Sequence, residues 1–171
     1  GKQRSIRGQG SLTTALGWAF GAMFLLGATG AFSALGKTAF EHELAPIKGF
    51  AERMWLHVGP DANPILRGGV VHPLIATSAG LLVLWLCGVI SQLRPSPEVK
   101  TWSKVTVGIY LFQMALGVAN LLVSAPTGMQ IAHLAVALLN WIALVMLAVT
   151  ALSTEAVRVE TSEVQEEPQT L

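Results

Sequence analysis

The chain has 171 residues, 52% of them hydrophobic and 12% charged, with a formal net charge of +1. Soluble domains run near 25% charged, so charge is depleted about two-fold and an ordinary water-soluble domain is excluded. The near-neutral balance carries no nucleic-acid signal, and the single cysteine, Cys87, has no partner in the chain for an internal disulfide.

The opening stretch GKQRSIRGQG, residues 1–10, is basic and has no apolar centre, so it reads as a tail or linker and not as a signal peptide. Four apolar stretches follow, at about 12–35, 70–93, 105–124 and 131–152. Each is close to the roughly 20 residues that a helix needs to cross a bilayer. No strand is expected, because an open sheet cannot satisfy its backbone in lipid. The predicted fold is an all-α integral membrane domain, residues 11–153: a four-helix transmembrane bundle made of two hairpins. The first hairpin closes through a long loop, in which FEHELAPIKGFAERMWLHVG mixes charges with Phe50, Met54 and Trp55. That mixture predicts an amphipathic helix lying on the membrane surface. The second hairpin closes through the tight SAPTG turn, Ser124–Gly128, punctuated by Pro126 and Gly128. The acidic, polar tail 154–171 is expected to be disordered.

Orientation follows from the cations. Lys2, Arg4, Arg7, Arg94, Lys100, Lys104 and Arg158 fall on one side; Lys37, Lys48, Arg53 and Arg67 fall on the other. The excess predicts cytoplasmic termini, an outer 37–68 loop and a place in the cell (inner) membrane.

The spans contain no Asp or Glu but do contain two histidines. His72 lies two residues past the expected start of the second span, and His133 two past that of the fourth. Those spans run in the same direction, so the imidazoles are expected at matched depth. Gly69, His72, Ala76 and Gly80 share one face of the second span. His133, Ala137 and Asn140 share a face of the fourth; Gln113, Gly117, Asn120 and Ser124 share one of the third. The small residues leave room for something bulky or allow close helix approach. The halves also share a short pattern: Leu26-Gly27 then Ser33-Ala34, and Leu116-Gly117 then Ser124-Ala125.

An intramembrane histidine marks a functional site unless a carbonyl or an amide of another helix takes it up. A proton relay wants carboxylates, which the spans lack. A bare metal wants a third ligand, and Cys87 lies too far along the same helix to supply it. Haem wants one or two axial ligands and a wide apolar slot, so two facing histidines fit an iron-bound haem best. Arg67 and Lys37 are candidate partners for its carboxylate arms, ordinary snorkelling at the interface being the alternative. Gln113 is a candidate ligand contact or an interhelical hydrogen bond.

These residues resemble a known family. LFQMALGVANLLVSAPTGMQIAHLAVALLNWIALV, Leu111–Val145, looks like the last helix pair of the haem A synthases. SALGKTAFEHELAPIKGFAERMWLHVGPDANPILRGGVVHPLIATSAG is similar to the segment before it, with a Leu-Gly-x-Thr-x-Phe element and an Arg ahead of His-Pro. The resemblance spans about Leu25–Leu152. A typical member has eight spanning helices in two halves, and this chain resembles the C-terminal half. The resemblance implies a b-type haem held axially by His72 and His133, with Arg67 on a propionate. It also implies electron relay in support of the oxidation of haem O to haem A. The substrate half, with its own histidines, glutamate and loop cysteine pair, has no counterpart in this sequence. No catalytic residue is therefore assigned, and the expected partners are membrane lipid together with a partner half, a second copy or a larger respiratory or photosynthetic complex. A non-catalytic scaffold and an electron-transfer cytochrome subunit are the alternative readings.

Overall fold

A computed structural model describes residues 9–44, 46–47, 49–123 and 126–154. The expectations for the basic start, for Lys48, for Ser124 and for the acidic tail fall outside these residues. Six helices follow in order: α1 (Gly10–Ala39), α2 (Glu41–Leu44), α3 (Phe50–Val58), α4 (Gly68–Leu93), α5 (Pro97–Leu122) and α6 (Thr127–Ser153). No strand occurs among the described residues. By length and composition α1, α4, α5 and α6 can each cross a membrane. The protein is an integral membrane protein with four spanning helices.

The apolar runs set where these helices lie, but local chemistry sets where they start. α5 begins eight residues before the expected 105, because hydropathy discounts Lys100 and Lys104 while the backbone does not. Ser96 caps it, its side chain accepting from the Val99 N–H at 3.2 Å, with Pro97 at the first position and Glu98 in the first turn. The chain enters α4 through a turn in which Asn63 Oδ1 accepts from the Ile65 N–H at 2.9 Å. That turn runs across the end of α1 so closely that a Cβ on Gly36 would stand 2.9 Å from the Ile65 carbonyl oxygen. The long loop contributes two short helices, α2 and α3, where one surface helix was expected.

The four long helices form a ring. α1 packs on α4 and α5 on α6, giving the two hairpins; α4 packs on α5, and α1 meets α6 more sparsely. α4 and α6 thus stand on a diagonal. Burial is lopsided along the bundle axis. The core is built from Leu12, Leu16 and Met23 of α1, Val83, Leu86 and Ile90 of α4, Val99 and Tyr110 of α5, and Leu144 and Leu147 of α6. All of these lie toward the end that carries the α4–α5 link, the packed end. Phe20 and Trp141 stack across α1 and α6 there, ring centroids 6.0 Å apart. Arg94, buried, donates to the Leu93 carbonyl at 3.0 Å and to Gln9 Oε1 at 3.4 Å, and Gln9 in turn donates to the Leu152 carbonyl at 3.3 Å. Toward the opposite end the helices bury little, and the two hairpins part to leave a cleft.

Candidate functional site

Both intramembrane histidines sit in the cleft half. The first buried residue of α4 beyond His72 is Ala79, and the first of α6 beyond His133 is Asn140. Each histidine is therefore seven residues, ~10 Å of helix, from the packed core. His133 lies within electrostatic reach of His72. Two imidazoles on diagonal helices thus stand at one level.

Each is steadied by its own hairpin. The His72 ring lies against Gly30 of α1, where a Cβ would stand 3.1 Å from its Cε1. The His133 ring lies against Gly117 of α5, where a Cβ would stand 3.2 Å from its Cε1. Gly27, the glycine that the sequence pattern paired with Gly117, faces open space instead. The short repeat is thus offset: Gly30 plays in the first hairpin the part of Gly117 in the second.

Each ring makes one side-chain hydrogen bond within its own hairpin. Thr29 Oγ1 has one proton, which it donates to the Leu26 carbonyl at 3.1 Å. Toward His72 Nδ1, 3.2 Å away, it can then only accept. This arrangement suits His72 protonated on Nδ1, with a lone pair on Nε2. Gln113 Nε2 stands 3.1 Å from His133 Nε2. An imidazole that ligates a metal through Nε2 gives its Nδ1 proton to the protein; His72 has Thr29 for that, whereas His133 Nδ1 has no partner and its Nε2 is held by Gln113.

The second hairpin is short of partners. Gln113 Oε1, Asn120 Oδ1, His133 Nδ1 and Asn140 Oδ1 are all buried and unbonded. An unmet buried polar group costs ~1–3 kcal/mol, and several together on one face call for an explanation. These orphaned atoms and the glycine beside each ring fit a group held between the histidines. The residues at hand suit a haem: two imidazoles on diagonal helices, glycines that make room for the rings, and apolar walls. They do not suit a bare metal, since no group of three His, Cys, Asp or Glu gathers among the described residues.

A cavity of about 410 Å³ that both hairpins line lies about one turn outward of the histidines, through Ser33, Gly69 and Asn120, and neither His72 nor His133 lines it. Lys37 and Arg53 bring cations to it, with Glu41 beside them and Asn120 opposite. Arg53 is half-buried, its Nε donating to the Ile47 carbonyl at 2.6 Å, which anchors its guanidinium on the loop. His57 bonds the Leu66 carbonyl through Nδ1 at 2.5 Å and lies on Gly69, locking α3 onto the start of α4. Arg67 does not line this cavity and is exposed. Arg53, which only the folding of the loop brings into place, does line it.

The small residues of α4 serve the second of the two uses expected of them, close approach. Gly69 is filled by His57, and Gly80 by the Tyr110 ring, whose Cε1 would be 2.5 Å from an added Cβ. Ala76 gives its carbonyl to Tyr110 Oη at 2.7 Å. They allow close approach and do not themselves open the slot. Ala137, half-buried, lies one turn below His133 on the same face.

Fold and site together define a polytopic membrane protein with a paired-histidine cleft open at one end of a four-helix bundle. The model of the COX15-CtaA family, described as cytochrome oxidase assembly protein, matches residues 1–145, and the chain belongs to this family, that of the haem A synthases. Two proteins from separate strains of Thermus thermophilus are each 36% identical over 158 residues, 92% of this chain and 25% of theirs. Both are described as Protoheme IX farnesyltransferase, and the chain spans about a quarter of their length. No solved structure matches the chain.

Proposed function

We propose that this domain binds one haem b in the cleft, with His72 and His133 as axial ligands, and that it serves the oxidation of haem O to haem A as an electron relay. The observation that carries the reading is the pair of imidazoles at one level on diagonal helices, each held by a side chain of its own hairpin and each against a glycine. Bound there, the haem supplies a one-electron carrier. The chain's own residues do the rest. Thr29 accepts from His72 and orients its ring; Gln113, which now donates to His133 Nε2, yields that nitrogen and keeps the ring in place. Lys37 and Arg53 take the carboxylate arms at the cleft mouth, and the packed end shuts water out from the other side.

The membrane is read as the cell membrane, with the cleft opening on its outer face and the termini in the cytoplasm, from the distribution of Lys and Arg. The partner is a substrate-binding half, a second copy or a larger membrane complex. The name of the Thermus relatives points to prenyl transfer. Release of a diphosphate calls for a carboxylate-held Mg²⁺, and no acidic cluster of that kind lies among the described residues. Three-quarters of those relatives lie outside the match, which is room enough for that activity.

The purified protein is expected to hold one haem per chain with the absorption spectrum of a bis-histidine haem. His72→Ala and His133→Ala should each abolish that spectrum. Stoichiometric, unperturbed haem in both variants overturns the assignment, and a colourless protein with no Soret band points instead to a scaffold.

A further inference from the structure

A second cavity of about 410 Å³ lies at the packed end, on the outward side of the α4–α5 contact and away from the histidines. Leu84, Gly88 and Val107 form its apolar walls, and a Cβ on Gly88 would meet nothing within 4 Å. Its polar back wall is already satisfied. Ser91 donates to Ser103 Oγ at 2.8 Å and Ser103 in turn to the Cys87 carbonyl at 3.4 Å, so nothing there asks for water. The charged end of the groove differs. Lys100 and Lys104, one turn apart on α5, both line it; both are exposed, and neither pairs with a carboxylate among the described residues. Val107 lies one turn deeper into the span than Lys104. From the helix start inward the order is therefore cation, cation, hydrocarbon groove, which is the order of an anionic phospholipid, headgroup then acyl chain.

We propose that the α4–α5 groove is a docking site for one anionic phospholipid, its phosphate on Lys100 and Lys104 and an acyl chain along Gly88. Basic pockets between spanning helices recognise anionic headgroups in this way. Two lysines near such a headgroup, each worth about fivefold, predict about 25-fold preference over a zwitterionic lipid of the same chains. Snorkelling lysines alone would give a preference for charge but no dependence on the groove.

The full chain in detergent, titrated with phosphatidylglycerol or phosphatidylcholine and read by native mass spectrometry, separates these cases. The expected result is one retained phosphatidylglycerol per chain, with the preference falling toward unity in Lys100→Gln/Lys104→Gln and at high salt. Gly88→Leu should expel the lipid with the lysines intact. Equal retention of both lipids by the wild type, retention of neither, or unchanged retention in Gly88→Leu overturns the proposal. The wild-type comparison and its salt dependence stand even if a variant fails to fold. Haem content is an independent readout of the cleft and is expected to be unchanged in all these proteins.

Discussion

At the scale of single residues, the site turns on two neighbours of His72 that hydropathy does not distinguish from packing. Thr29 matters because its one proton is already given to Leu26, so only its oxygen faces the ring. Thr29→Val keeps the shape and removes the acceptor. A lost outer-shell partner of a metal-bound histidine typically costs 10–100-fold in affinity, and haem affinity should fall by about that factor, with Thr29→Ser restoring it. A haem titration followed at the Soret band checks this; equal affinity of the valine and serine variants would remove Thr29 from the account. Gly30 matters because a side chain there has nowhere to go but the imidazole. Gly30→Leu should displace His72 and lose the bis-histidine spectrum. Gly27→Leu, one turn away on open surface, should leave it unchanged.

At the scale of elements, the contact between α4 and α5 is set by Gly80 and Tyr110. The ring is pinned through its hydroxyl to the Ala76 carbonyl at 2.7 Å, so it cannot retreat from a Cβ that would stand 2.5 Å from Cε1. Gly80→Ala is therefore expected to destabilise the protein by about 1–3 kcal/mol, the usual cost of overpacking. Gly108→Ala, on α5 with open space beside it, should be neutral. Thermal unfolding of the two variants in one detergent checks the contrast. The same contact shows what a sequence can and cannot tell. The four spans were legible because lipid demands long apolar runs, and the two histidines stood out because such runs exclude polar groups without a purpose. The start of α5 was also written in the chain, as Ser96-Pro97-Glu98, though in capping chemistry and not in hydropathy. Arg53 was not legible: its place at the cleft mouth depends on Ile47, His57 and Leu66 meeting across an irregular loop. The choice of Gly30 over Gly27 depends on the rotation of α1 against α4, which period alone does not fix.

At the scale of the whole molecule, the bundle is packed at one end and open at the other, and this asymmetry has a physical origin. Lipid tails are as apolar as leucine, so spanning helices hold together by close packing and polar contacts, not by escape from water. The packed end supplies both: Ala15, Ala19, Ala143, Ala148 and Ala151 bring the backbones together, and Arg94, Gln9 and the Leu152 carbonyl tie the ends of the chain's helices. The cleft half has neither in that measure, and it holds three orphaned polar atoms, on Gln113, Asn120 and His133. A group that bridges the hairpins there completes the packing of that half alone. Haem at 100 times its dissociation constant should stabilise the protein by about 2.7 kcal/mol, and the gain should be local in origin. In hydrogen exchange of the apo and haem-loaded protein in detergent, amides around Thr29, His72, Gly117 and His133 are expected to slow on loading. Those around Leu86 and Leu147, both already buried, should not change. Uniform slowing along all four helices would mean that haem closes the bundle as one body. No slowing at the histidines would mean that it binds elsewhere, and the cleft would lose its assignment.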